Sequence, residues 1–162
     1  EIRIEDIAAN FFVLIYVGWS LAHIILLRTL DNGIHLVVYL FVVIWSTDTG
    51  AYFAGRFFGK NKLAPIISPN KTKEGALGGL LTSLLAAIIY NWIFPILQLP
   101  LLLCSTILIS VLGQIGDLVE SAFKRMTGVK DSGQIIPGHG GILDRFDSTI
   151  LTAPVLYIIF FK

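Results

Sequence analysis

Between Ser121 and Asp147 the chain gathers Lys124, Arg125, Lys130, Asp131, His139, Asp144, Arg145 and Asp147 around the turn Pro137-Gly138-His139-Gly140-Gly141. These are groups that handle phosphates. Cations and open backbone amides take anionic oxygens, and carboxylates hold a hard cation between them. Further carboxylates lie at Asp48, within Ile44-Trp45-Ser46-Thr47-Asp48-Thr49-Gly50-Ala51-Tyr52, and at Asp117 and Glu120. Each sign alone also has an ordinary reading. Glu120 and Lys124 stand four apart, the spacing of a structural helix pair, and His139 serves as readily in a structural hydrogen bond as in catalysis. Asp117, Asp144 and Asp147 taken together are harder to explain that way, because three neighbouring carboxylates repel unless a cation is present. Such oxygen-rich sites suit Mg²⁺, which takes one or two carboxylates and completes its shell with water and substrate phosphate.

The elements that must position these groups are apolar. Hydrophobic residues make up 55% of the 162, charged residues 14%, and mean hydropathy is +0.79. That exceeds what the core of a soluble domain this size needs, and predicts an all-α polytopic integral membrane protein. A helix needs about 20 residues to cross about 30 Å of hydrocarbon. Five segments qualify as candidates: Ile7–Leu27, Ile34–Phe57, Ala76–Leu97, Leu101–Val119 and Ile142–Phe161. Asn32-Gly33 punctuates the turn between the first two. The uncharged stretch 148–161 is too short to span alone, so the fifth helix is expected to begin near Ile142 and to include Asp144, Arg145 and Asp147. Cys104 lies in an apolar run, where a packing role is expected.

Nine of the twelve Lys and Arg fall between the second and third segments, between the fourth and fifth, or at the start of the fifth. The positive-inside rule makes that side cytoplasmic. The carboxylates belong to the same side, so an active site is expected at the cytoplasmic side of the helix bundle. At 100° per residue Asp117, Ser121 and Lys124 share one face of the fourth helix. Ser68-Pro69-Asn70-Lys71-Thr72-Lys73-Glu74-Gly75 precedes the third helix, where Lys71, Lys73 and free helix amides could meet a phosphate. A transporter would spread its carboxylates towards the midplane and both exits, unlike this one-sided arrangement. No signal peptide is apparent, since Glu5 and Asp6 precede the first apolar run.

The run Ser121, Lys124-Arg125, Lys130-Asp131, Pro137-Gly138-His139-Gly140-Gly141 and Asp144-Arg145-Phe146-Asp147 resembles the signature of the phosphatidate cytidylyltransferases, or CDP-diglyceride synthetases. Matches continue upstream at Asp48, Ala51-Tyr52-Phe53, Gly55, Ser68-Pro69, Lys71 and Glu74-Gly75, so the likeness covers about residues 40 to 160. The resemblance implies a Mg²⁺-dependent transfer of CMP from CTP to phosphatidate, giving CDP-diacylglycerol and pyrophosphate. It implies Asp117 and Asp144 as metal ligands, with Asp48, Asp131 and Asp147 in outer-shell or second-cation roles and room for a monovalent cation. Lys124, Arg125, Lys130 and Arg145 would hold phosphates, Lys71 and Lys73 would close over the nucleotide, Gly140 and Gly141 would admit substrate, and Ser121 and His139 would hydrogen-bond nearby. A homodimer is also implied; nucleic acid is not an expected partner. Family members usually carry more helices before this region. Residues 1–162 are therefore expected to form one transmembrane catalytic domain, the C-terminal part of a longer architecture, in a bacterial-type inner membrane. The alternatives are another CTP-dependent membrane lipid transferase or kinase; the Asp-Gly-x-x-Ala-Arg pattern of the CDP-alcohol phosphotransferases is missing.

Overall fold

The computed structural model describes Ile4, Ile7, Phe11, residues 14–126, residue 128 and residues 143–161, with side chains in the last helix described from Phe146 onward. A short π-helical stretch, Leu14–Trp19, runs into α1, Ser20–Thr29. There follow α2 (Gly33–Phe58), strands β1 (Lys62–Ala64) and β2 (Ser68–Thr72), α3 (Lys73–Ile93), α4 (Leu99–Met126) and α5 (Leu143–Phe160). Among the described residues, α2, α3 and α4 are each long and apolar enough to cross a membrane, while Leu14–Thr29 and Phe146–Phe160 are shorter apolar helices. The fifth helix does begin ahead of Asp144, Arg145 and Asp147, whose charges shorten its apolar stretch.

The described residues are all-α apart from one short hairpin between α2 and α3. β1 and β2 form an antiparallel hairpin, pairing Lys62 with Thr72 and Ala64 with Ser68. The α1–α2 turn follows the expected Asn-Gly punctuation, with Asn32 in the left-handed region at φ 55°, a conformation its short polar side chain tolerates. Pro100 falls in the first turn of α4, where its missing N–H leaves no intrahelical bond unmade.

Helix α3 presents Gly75, Gly79, Ser83 and Ala87 as its buried residues, one small side chain per turn. This permits close backbone approach to α2, the route to tight helix packing where lipid is as apolar as the side chains. A Cβ at Gly79 would lie 2.6 Å from the Thr47 carbonyl oxygen, and one at Gly75 would lie 2.8 Å from that of Ala51. Leu36, Leu40 and Val43 of α2 pack with Leu27, Leu102, Ile109, Ala153 and Leu156 in the core. Tyr39, fully buried, has its hydroxyl 2.8 Å from both Ser105 Oγ and Thr106 Oγ1, which fastens α2 to α4. Leu77, Leu81, Leu85 and Trp92 face outward along α3. Cys104 is exposed on α4 rather than packed in the core, because the buried face of that helix runs through Leu102, Ser105, Thr106 and Ile109.

Candidate active site

A cavity of about 510 Å³ opens where the hairpin meets α2, α3 and α4. Asp48, Tyr52 and Arg56 line it from three successive turns of α2, Asn70, Lys71 and Thr72 from β2, and Gln114 and Asp117 from α4. Gly75 and Ala76, at the start of α3, complete the wall. The helical repeat explains the α2 set, since residues four apart stack on one face. Arg56 Nη1 donates to the Tyr52 hydroxyl at 3.0 Å, and Gln114 Nε2 donates to the Ala76 carbonyl at 3.3 Å.

Lys71 and Asp117 meet across this cavity. Nζ lies 2.5 Å from Asp117 Oδ2, with the two side chains 26% and 31% exposed. The Lys71 ammonium is shielded from solvent and makes no further hydrogen bond among the described residues, so within them it has donors left for another oxygen. Ser121 Oγ donates to the other Asp117 oxygen at 3.4 Å, which bears out the shared face predicted for those two residues. Asp48, Asp117 and Asp147 lie within one another's electrostatic reach, and Lys71 lies near enough to offset part of the charge at Asp48. Asp147 gets there because Gly116, beside Asp117, allows close packing: a Cβ at Gly116 would be 2.7 Å from the Asp147 carbonyl oxygen. One Asp147 oxygen accepts from the Ser148 amide at 2.5 Å.

Other candidates are placed elsewhere. Lys124 pairs with buried Glu120 at 2.7 Å, the structural alternative weighed for that spacing. Arg125 Nε donates to the Ile67 carbonyl at 3.3 Å and so touches the hairpin. Lys73 is exposed and does not line the cavity, although it is only two residues from Lys71. The first amides of α3 are also partly taken, because Lys73 N donates to Asn61 O and Gly75 N to Thr72 Oγ1. Lys130, Asp131, His139, Gly140 and Gly141 lie outside the described residues, as do the side chains of Asp144 and Arg145. Tyr52, Arg56, Asn70 and Gln114 are site residues that the sequence reading did not assign, although Tyr52 and Asn70 fall in segments it quoted. Stepping four and eight residues on from Asp48, and three back from Asp117, would have found three of them.

Among the described residues no three His, Cys, Asp or Glu side chains are grouped to hold a metal ion. The donor types that are present fit a hard divalent cation. Mg²⁺ needs only one or two carboxylates, and Lys71 and Arg56 beside the carboxylates of Asp48, Asp117 and Asp147 still leave negative charge for a cation to neutralise.

Residues 1–162 match the cytidylyltransferase family along their whole length. The chain belongs to that family. It is 51% identical over 155 residues to the phosphatidate cytidylyltransferase of Staphylococcus haemolyticus, covering 95% of this chain and 59% of that protein. Identity to the Bacillus subtilis phosphatidate cytidylyltransferase is 53% over 150 residues, 90% of this chain and 55% of the relative. For the Staphylococcus aureus protein of the same name it is 49% over 156 residues, with 95% and 59% covered. The chain thus spans between half and two thirds of the length of these curated relatives. The family agrees with the resemblance first drawn from the run Ser121–Asp147.

Proposed function

We propose that this chain carries the catalytic site of a phosphatidate cytidylyltransferase. The observation that carries the reading is the Lys71–Asp117 pair at the wall of a cavity also lined by Asp48 and Arg56, in a chain of this family. Such a site suits the meeting of two polyanions. A phosphate oxygen of phosphatidate attacks the α-phosphorus of CTP, a new P–O bond forms, and the α–β phosphoanhydride bond breaks so that pyrophosphate leaves with the electron pair. Phosphatidate is already an anionic nucleophile, so no covalent protein nucleophile is required; the protein's tasks are alignment and charge neutralisation.

Among the described residues Lys71 has donors left for a phosphate oxygen. Arg56, from the same wall, adds a second cation, and the Tyr52 hydroxyl orients it. Mg²⁺, held by Asp117 and Asp144 with Asp48, Asp131 and Asp147 in outer-shell or second-cation roles, would neutralise charge on the nucleotide phosphates. Lys130, Arg145, His139 and the Gly140-Gly141 turn complete the proposed substrate contacts. The site faces the cytoplasm, as the clustering of Lys and Arg supports. A monovalent cation and a homodimer remain part of the proposal on family resemblance.

The test is to incubate the full chain, in detergent or membranes, with CTP, phosphatidate and Mg²⁺ and to follow lipid product and pyrophosphate. CDP-diacylglycerol formed in equal amount to pyrophosphate is expected. Transfer of a phosphoryl group to the lipid with CDP released would instead mark a lipid kinase, and no product from CTP and phosphatidate would reject the assignment.

A further inference from the structure

Glu74 joins the two ends of the hairpin with one side chain. Its Oε2 accepts from the amides of Lys60 at 3.1 Å and Asn61 at 3.2 Å. Its Oε1 accepts from Asn61 N at 3.2 Å and from Asn61 Nδ2 at 2.7 Å. In return the amide of Lys73 donates to the Asn61 carbonyl at 2.9 Å. The segment that leaves α2 is therefore tied to the first turn of α3. Everything between them is the hairpin.

What the clamp holds in place is the cavity wall. Lys71 lies three residues before Glu74, and the intervening Thr72 caps α3 through Gly75 N at 3.1 Å. Thr72 also packs against α2, since a Cβ at Gly55 would come within 3.1 Å of its Oγ1. Strands of three and five residues make a hairpin too small to be stable by itself, so its position depends on such anchors. The far end has one of its own, the Arg125 contact to Ile67. The near end, beside Lys71, is held by Glu74.

We propose that Glu74, clamped on Asn61, is a positioning residue for substrate: it sets the hairpin so that Lys71 reaches the Asp117 side of the cavity, and thereby sets the affinity for the nucleotide phosphates. The proposal rests on the nucleotidyl-transfer reading above and adds to it a residue that acts only through another. Glu74 does not line the cavity, so direct contact with substrate is not its role.

The experiment is a cycle of Glu74→Ala, Lys71→Met and the double variant in the full chain. Its readouts are KM and kcat for CTP, equilibrium CTP binding, and hydrogen exchange at the amides of Lys60, Asn61 and Lys73 without substrate. Loss of one hydrogen bond to a charged group costs ~10-fold or more in affinity, so Glu74→Ala, by misplacing Lys71, should raise KM for CTP by ~10-fold, with most of the loss in kcat/KM falling on KM. The three amides should exchange faster. In the Lys71→Met background the further effect of Glu74→Ala should shrink to within about twofold, the sign of two residues acting as a unit. Glu74→Gln, which keeps the size and one acceptor oxygen, should recover part of the affinity. A purely structural Glu74 would lower the melting temperature and leave the KM of folded enzyme alone, and that result overturns the proposal. So does an undiminished effect of Glu74→Ala in the Lys71→Met background. Wild-type protein that binds no CTP removes the proposed function and this proposal together; wild-type binding with an unchanged Glu74→Ala variant removes this proposal alone.

Discussion

Replacing Asp117 by Asn keeps the size of the side chain and removes its charge, which separates the stability and catalytic roles of this position. The variant loses the ion pair to Lys71, whose two side chains are about 70% buried. Exposed pairs are worth about 0–1 kcal/mol and breaking buried ones costs about 3–5, so a pair at this depth is worth about 2 kcal/mol. Against that loss, the variant also relieves the repulsion of Asp117 with Asp48 and Asp147. At an effective dielectric constant of about 20 the two repulsions act together against the loss of the single pair, so the effects largely cancel. The expected net change is about 1 kcal/mol or less, a shift of roughly 2–4 °C in Tm for a chain of this length. Catalysis has no such compensation. Loss of one group that stabilises developing charge costs about 10²–10³-fold in kcat, or roughly 3–4 kcal/mol. Mg²⁺-dependent CDP-diacylglycerol synthesis, measured beside thermal unfolding in detergent, should therefore show at least ~100-fold loss of turnover with a nearly unchanged Tm. If Asp144 holds the same ion, adding Asp144→Asn should make little further difference. Near-normal turnover at ordinary Mg²⁺ would refute the metal-site reasoning, and a large fall in Tm would refute the electrostatic balance.

Because Lys71 faces the cavity and Lys73 does not, Lys71→Gln should raise KM for CTP about tenfold or more while Lys73→Gln stays within about twofold, the difference between a direct charge-assisted contact and a distant exposed charge. Equal effects in steady-state kinetics would show that the hairpin presents both lysines. Gly79→Val places a Cβ against the Thr47 carbonyl and should destabilise the α2–α3 packing by about 1–3 kcal/mol, read as a lower Tm, whereas the same change at exposed Gly18, whose Cβ would meet nothing within 4 Å, should not follow that mechanism. Ile66, 93% exposed at the tip of the hairpin, is a suitable reporter of orientation. Ile66→Cys in a Cys104→Ala background should resist an impermeant thiol reagent in intact cells and react after permeabilisation; labelling from outside would reverse the topology.

Membrane character and the one-sided distribution of charge could be read directly from the residues, because hydropathy and charge counts are sums that do not depend on which residues touch. Helical periodicity likewise placed Asp117 and Ser121 on one face, and the length a span needs put the charges of Asp144, Arg145 and Asp147 inside the last helix. The repeat Gly75, Gly79, Ser83, Ala87 was equally open to view as a close-packing face, though it was not used. Other features depended on contacts between distant parts of the chain. Lys71 and Asp117 are 46 positions apart, and whether Lys71 or Lys73 enters the cavity depends on the register of a hairpin that the loop-like composition of Ser68–Gly75 did not announce. In the same way, Lys124 turns to Glu120 and Arg125 to Ile67 because a long cationic side chain takes whichever acceptor the fold places within reach. Residue type and local spacing determine which chemistry is possible on each element. Which acceptor each side chain reaches is decided by how the hairpin and the helices pack, because those acceptors lie on parts of the chain distant in sequence.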